Sequence, residues 1–333
     1  MRITVLGAGG WGTTLAVILQ TNGHDVILWE FKEDYSKILE ETRYNPVYLP
    51  GVFIPNEIKI THSLVEACSD RQMIVIAIPS QFIRKVLKEI KDIDFVKTIF
   101  VSVAKGIEKD SLLTVSQIIL EEIPGLDESN VGVISGPSHA EEVSRKIPTA
   151  VVAASKDMIT AKKIQSTFIT TYLRIYSSTD IIGVELGGAF KNIIAIGAGI
   201  IDGAQLGDNT KAAIMTRGVA EISRFGTRLG AKPETFAGLS GMGDLIVTCM
   251  SKHSRNRYVG EQIGKGKKLK EVVESMEMIA EGVETCRSVY FLSKKTGIET
   301  PICEAVYQIL FEDKDPIKAT FDLMTRDMKS ETI

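Results

Sequence analysis

Hydrophobic positions follow two rhythms along this chain. As far as Ser178 they gather in short unbroken runs, set apart by stretches with an apolar residue every three or four positions. The runs at 2–6, 25–29, 73–78, 98–103, 131–135, 149–154 and 173–176 have the length and composition of strands covered on both faces. The stretches at 13–23, 32–42, 82–90, 112–122 and 161–168 predict helices with one buried stripe. A loop carrying Pro46, Pro50 and Pro55 follows the second of these helices. Repeated alternation of strand and helix predicts an α/β fold built on a doubly wound, mostly parallel sheet.

Beyond Ser178 the strand-like runs largely stop, and helical periodicity continues to the C-terminus. An all-helical second domain is expected, with the boundary near 179–185 and the division 1–180 and 181–333. No Gly/Ser linker lies there, so a rigid interface between the two is expected. The most apolar long stretch, 186–206, is interrupted by Lys191 and Asp202. Its unbroken runs fall short of the ~20 residues of a membrane span, so a buried helix is expected and no stable membrane insertion.

Composition narrows the classes. The chain has 333 residues, long enough for two domains, and a net charge of -3 that gives no reason to expect a nucleic-acid or membrane partner. Cys68, Cys249, Cys286 and Cys303 lack CxxC spacing and read as reduced core thiols. The histidines His24, His62, His139 and His253 lack metal-ligand spacing, so no metal is expected. A strand beginning directly after Met1 leaves no room for a signal peptide, and a cytoplasmic protein is expected.

The first thirty residues carry the strongest chemical signal. A strand runs into Gly7-Ala8-Gly9-Gly10-Trp11-Gly12, a helix follows, and the next strand ends on Glu30, eighteen residues after Gly12. These are the parts of a dinucleotide-binding unit. Gly7 permits the sharp turn, Gly9 lets the backbone approach a pyrophosphate, and Gly12 lets helix and strand pack closely. The N–H groups and dipole at the helix start favour the anion.

Ligands of such a sheet bind beyond the carboxyl ends of its strands. Three further loops leave that edge: Pro79-Ser80, Lys105-Gly106 and Ser135-Gly136-Pro137-Ser138. Ser138 with Glu141 fits a capping box at a helix start, an ordinary structural role for that serine. On the boundary helix, Gly187, Gly188, Lys191, Ala195 and Ala198 share one face, placing a single amine among small residues. Flanking glycines imply that a ligand or another backbone comes close. Desolvation, or a second cation such as Lys105, would lower the Lys191 pKa and suit it to proton transfer at a carbonyl. Farther on, the glycine-rich stretch 238–245 ends in Asp244-Leu245. Ser251-Lys252-His253-Ser254-Arg255-Asn256-Arg257 then packs donors that suit a phosphate, though such a cluster also suits a solvated loop.

The matches to one family then stand in order: Gly7 to Thr13, Val103-Ala104-Lys105-Gly106-Ile107-Glu108, Ser135 to Ser138, Glu185 to Asn192, Gly241 to Cys249, Ser254 to Arg257, and Ala280-Glu281-Gly282. Over essentially its whole length the chain resembles the bacterial type of NAD(P)-dependent glycerol-3-phosphate dehydrogenase. The resemblance implies an N-terminal Rossmann domain, a helical C-terminal domain and a homodimer. It implies interconversion of dihydroxyacetone phosphate, a small phosphate substrate, and sn-glycerol 3-phosphate, which supplies glycerophospholipids. By resemblance, Lys191 is the general acid/base and Lys105 and Asn192 orient the reacting oxygens. Asp244 and Thr248 support Lys191 and the substrate hydroxyls, and Arg255 and Asn256 hold the phosphate. Gly136, Ser138 and Ser254 match further substrate positions. Trp11, Phe31, Ala140, Ile279 and Glu281 match cofactor positions, beside Gly7, Gly9, Gly10, Gly12, Glu30, Lys105 and Arg255.

Two residues depart from the commonest pattern of that family. His139 stands where an apolar aromatic is usual. Glu30 stands where small or basic residues are frequent; a carboxylate there bonds a ribose diol and repels a 2′-phosphate, which favours NAD over NADP, with Lys32 partly offsetting it. Two rival readings remain from sequence: a hydroxy-acid dehydrogenase with a catalytic lysine, and an NAD(H) sensor without turnover.

Overall fold

Short β-branched runs become the strands of one eight-stranded sheet because their side chains are buried on both faces. In the computed structural model, which describes residues 1–328, 330 and 331, the first element is β1 (Arg2–Leu6), followed by α1 (Gly10–Thr21) and β2 (Asp25–Trp29). Then come α2 (Glu33–Thr42), the hairpin β3 (Tyr44–Asn45) and β4 (Leu49–Phe53), β5 (Lys59–Thr61), α3 (Leu64–Cys68) and β6 (Met73–Ile76). The unit continues with α4 (Ile83–Lys88), β7 (Ile99–Ser102), α5 (Val115–Glu122), β8 (Val131–Ser135), α6 (Ala140–Val143), β9 (Thr149–Ser155), α7 (Met158–Phe168) and β10 (Leu173–Ser178).

The strand order is β10-β9-β8-β7-β6-β1-β2-β5, parallel throughout except where β8 meets β9. A mostly parallel, doubly wound sheet is therefore what the chain forms. Alternation along the strands feeds two cores: Ile3 and Val5 of β1 with Met73 and Val75 of β6 face one layer, and Leu6, Ile74 and Ile76 face the other. Sequence periodicity missed β5 and α3 and left the hairpin as loop. All three elements are short, and β4 carries Pro50 and Gly51.

The helical part begins with α8 (Ile181–Gly203) and α9 (Asp208–Arg228), then α10 (Pro233–Phe236), α11 (Asp244–Met250), α12 (Arg255–Gly264) and α13 (Leu269–Glu274). It ends with α14 (Glu281–Thr296), α15 (Pro301–Phe311) and α16 (Pro316–Met324). Positions 329, 332 and 333, at the end of the expected second domain, lie outside the described residues. A π-helical turn at Leu239–Gly243 leads directly into α11 and turns Asp244 inward.

By length and composition α8 is apolar enough to cross a membrane, but 89% of its apolar window is buried within the protein. Its partners explain this. Ile193, Ile194, Ile196 and Phe190 pack with Phe225 of α9, Leu245 of α11, Val259 of α12 and Val283 of α14 in one core. A glycine seam brings α8 and α12 together. A Cβ at Gly199 would lie 2.0 Å from the Arg257 carbonyl oxygen, and one at Gly260 would lie 1.9 Å from that of Ile196. Backbones that close leave no room for any larger residue.

Candidate active site

The carboxyl ends of β1, β2, β6, β7 and β8 open on a cleft of about 400 Å³, roofed by the starts of α12 and α14. It lies over the point where strand order reverses, between β1 and β6. On the β1 and β2 side its wall is Gly7, Gly9, Gly10 and Trp11, with Glu30 and Phe31 beside them. Lys105 and Ser138 come from the loops after β7 and β8, Ala140 from the start of α6, and Lys191, Asn192 and Thr248 from α8 and α11. Ser254, Arg255 and Asn256 approach from α12, with Ile279 and Glu281 from the segment opening α14. Gly12, Gly136 and Asp244 stand behind this wall.

The glycine turn has the geometry expected of it. Gly7 has φ +107, and a Cβ on Gly12 would sit 1.9 Å from the Gly7 carbonyl oxygen. A Cβ on Gly9, by contrast, would meet nothing within 4 Å, so this residue faces open space at the head of α1. The first N–H groups of α1 have no acceptor inside the helix and are offered to a ligand. That open cradle fits the pyrophosphate of a dinucleotide. Asn45, which the sequence reading placed in a loop, braces the turn. Its amide donates to the Ala8 carbonyl and the Thr13 hydroxyl, both at 2.8 Å, and its oxygen accepts from the Tyr35 hydroxyl.

Glu30 is buried, and its Oε1 accepts the Lys32 backbone N–H at 3.0 Å. Burial pushes its carboxyl above the ordinary range, against the pull of backbone donors and Lys32. A backbone bond from Ala8 holds the carboxylate as well, and it lies at the cleft wall. Glu281 is anchored from the opposite side, accepting the Ser80 N–H at 2.9 Å.

Around Asp244 the structure builds a charge cluster in which Asp244 and Lys191 are buried and Lys105 is partly exposed. Its Oδ1 accepts from Lys191 Nζ at 2.6 Å and its Oδ2 from Lys105 Nζ at 2.7 Å. Lys191 also donates to Thr248 Oγ1 at 2.7 Å, and that hydroxyl donates to the Asp244 carbonyl. Lys105 also donates to the Gly136 carbonyl at 2.9 Å. Each ammonium has three protons, so each keeps one for a ligand. Burial lowers the Lys191 pKa to about 8; Asp244 opposes the shift and Lys105 adds to it. Burial disfavours the charged form of Asp244, yet the Lys105 and Lys191 ammoniums outweigh it and hold the carboxyl below its ordinary value.

The small-residue face of α8 admits protein, not ligand. A Cβ on Gly187 would lie 2.6 Å from the Ser240 carbonyl oxygen, and one on Gly188 would lie 2.7 Å from Ser135 Oγ. Asn192 donates to the Lys105 carbonyl at 2.9 Å and accepts from the Asn256 amide at 2.9 Å. Asn256 in turn accepts the Gly282 N–H. This ladder ties α8, α12 and α14 to the loop after β7. Both asparagines thus position backbone, and each keeps only part of its amide for a substrate.

Three expectations shift at the rim. The capping box at Ser138 does not form: His139 is the N-cap of α6 and makes no side-chain cap bond. The Ser138 hydroxyl turns back to the Gly136 carbonyl, because Gly136, with φ +143, folds the chain sharply there. Ser254 spends its oxygen capping α12 through the Arg257 N–H. Of the two arginines in the donor cluster, Arg257 is engaged by Asp202. Arg255 is exposed and donates one Nη1 bond to the Ile279 carbonyl, leaving its remaining donors for an anion.

The cysteines are buried and unpaired as disulfides, and burial pushes the Cys68 and Cys249 thiols up to about 12. His139, Tyr48, Glu277 and Met278 also line the cleft without a role in the sequence reading, and His253, from the donor cluster, lines it too. The four-residue spacing of Gly199 and Gly203, matched by Gly260 and Gly264, was the signal for the seam that places α12.

Comparison with known proteins points to one family. Family models described as NAD-dependent glycerol-3-phosphate dehydrogenase N-terminus and C-terminus match residues 2–161 and 180–321. A glycerol-3-phosphate dehydrogenase [NAD(P)+] of Chlorobium phaeobacteroides (strain BS1) is 53% identical, covering 99% of each chain. The protein of that name from Prosthecochloris aestuarii (strain DSM 271 / SK 413) is also 53% identical, covering 99% of this chain and 100% of its own. The crystal structure of glycerol-3-phosphate dehydrogenase from Coxiella burnetii is 37% identical, with a TM-score of 0.93 over 98% of this chain and 99% of that one.

Proposed function

Because this chain belongs to the NAD-dependent glycerol-3-phosphate dehydrogenase family, we propose that it interconverts dihydroxyacetone phosphate and sn-glycerol 3-phosphate with NAD(P)H. The observation that carries the site assignment is a buried lysine, its pKa drawn down to about 8, between Asp244 and Thr248 at the edge of a dinucleotide cleft. When bound, the nicotinamide supplies or takes up the hydride. Lys191 gives its third proton to the carbonyl oxygen that is being reduced, or takes one from the alcohol in reverse. Lys105 aims its remaining proton at the same region and stabilises negative charge developing there. Asp244 fixes both ammoniums, so neither must reorganise as charge moves. Arg255, with Asn256 behind it, anchors the phosphate and spends that remote binding on orientation.

Glu30 supports a preference for NADH, since a carboxylate at the cleft wall suits a ribose diol and its charge opposes a 2′-phosphate. The test runs both reduced cofactors in parallel with dihydroxyacetone phosphate and follows nicotinamide absorbance. NADH should be favoured, and Glu30→Ser should narrow the ratio by about tenfold, or about 1.4 kcal/mol. An unchanged ratio discards the Glu30 reading and leaves the enzyme.

The same proposal includes a homodimer, supported by the family resemblance and tested by light scattering, a cytoplasmic location, and supply of glycerol 3-phosphate to glycerophospholipids. It also includes the division into 1–180 and 181–333, supported by the sheet ending at Ser178 and α8 starting at Ile181.

A further inference from the structure

Reduction of the carbonyl leaves a problem that the buried cluster does not solve. The carbon receives a hydride as the C–O π bond breaks, and the oxygen receives the proton of Lys191. The lysine is left as a neutral amine, and one proton from solution must restore it before the next turnover. Yet Lys191 is only 6% exposed, and its two hydrogen-bond partners are themselves buried. Asp244 is held ionised by both ammoniums, so it is a poor carrier of that proton.

Two histidines line the cleft onto which this cluster opens, and one of them feels the charge of Lys191. His139 lines the same cleft as Lys191, and its Nε2 is buried without a hydrogen-bond partner. A buried ring nitrogen left unpaired in a native fold calls for a functional explanation. The exposed ring of His253 lies 5.8 Å from it, centroid to centroid, tilted by 54°. We propose that His139, with His253 beside it, carries protons from solution to Lys191 after each reduction, and away from it after each oxidation.

The chemistry balances without any further reagent. A proton from solution bonds to one ring nitrogen of His139 while the N–H on the other nitrogen passes, through water, to the Lys191 amine. The imidazole ends neutral, as the other tautomer, and then resets. Its surroundings keep it neutral between turnovers: burial acts first, then Lys191, with Lys105 in the same direction and Glu141 and Asp244 opposing. His139 acts through Lys191 and not on the substrate. The inference rests on the reading of Lys191 as the general acid.

The test uses the full-length enzyme with His139→Phe and, as a polar replacement unable to relay, His139→Gln. Dihydroxyacetone phosphate reduction is measured in a bulky buffer, with and without added imidazole. The expected result is a kcat lowered about tenfold, less than the 10²–10⁴ of a general acid because water still reaches Lys191 slowly. KM should stay within about twofold, the solvent isotope effect on kcat should rise, and imidazole should restore most of the loss. His253→Ala should show the same rescue with a smaller loss. A kcat within about twofold of the parent, a loss seen only in KM, or a loss that imidazole leaves untouched overturns the relay. Lys191→Ala separates the two ideas: if that variant retains its rate, the general-acid reading fails and takes the relay with it. If it loses its rate while both His139 variants keep theirs, the relay alone fails.

Discussion

The lysine cluster and the glycine turn face the same cleft but are finished to different degrees. Around Asp244 both carboxylate oxygens and the Thr248 hydroxyl are already taken up, and each ammonium keeps a single proton for a ligand. At the glycine turn the structure leaves space: a Cβ on Gly9 would touch nothing, and Phe31 and Ile279 are exposed beside it. The contrast follows from what each end must do. Charge that moves during a reaction is best met by dipoles and ions already fixed in place, because reorienting them would add to the barrier. A large ligand that enters and leaves each turnover needs a surface whose donors are unspent.

The largest effect that tests this contrast is expected at the finished end. Lys191→Ala should lower kcat by roughly 10²–10⁴ with NADH binding unchanged, read by single-turnover absorbance and fluorescence titration. A rate near the parent's would remove Lys191 from the chemistry. Next comes Asp244→Asn. In the free parent enzyme, reduction requires protonated Lys191, so kcat/KM should hold below pH about 8 and fall above it. Removing the anion that raises the lysine pKa moves that limb toward acid. A pH profile with the limb unmoved would show that Asp244 does not tune the amine.

At the open end the expected effects are smaller and fall on affinity. Gly9→Ala should leave Tm unchanged but raise the Kd for NADH about tenfold, because its methyl occupies only the space meant for the ligand. Gly12→Ala should lower Tm instead, since its Cβ collides with backbone. If both variants behaved alike, the distinction between empty and filled space at this turn would collapse. Arg255→Ala should raise KM several-fold with kcat nearly held, as expected for a clamp on a non-reacting phosphate. An unchanged KM would count against that clamp.

How much of this was legible in the sequence depended on distance along the chain. The glycine turn was legible because strand, turn, helix and Glu30 lie within thirty residues and each constrains the next. Lys191 was legible because small residues surround it at helical spacing, although the glycines proved to admit Ser240 and Ser135 rather than a ligand. The ladder from Lys105 through Asn192 and Asn256 to Gly282 was not legible. Its members lie 87, 64 and 26 residues apart, and only the packing of α8 against α12 and α14 brings them together. The capping box at Ser138 failed for a local reason that spacing does not record. The turn at Gly136 aims the hydroxyl backward, so α6 starts one residue later than the motif implies.

The burial of α8 has a consequence for how the protein is made. The ribosome releases this helix well before α12 and α14, which cover it, have been synthesised. Some ninety residues separate the end of α8 from the end of α14. At roughly 5–20 residues per second the nascent chain carries an uncovered apolar segment for on the order of ten seconds. In that interval the segment is the kind that translocation machinery samples for insertion into a bilayer. Lys191, the eleventh of its 23 residues, stands at its centre, where a lysine costs roughly 2.5–3.5 kcal/mol to insert. The side chain that handles protons in the finished enzyme also weighs against losing the unfinished one to the membrane.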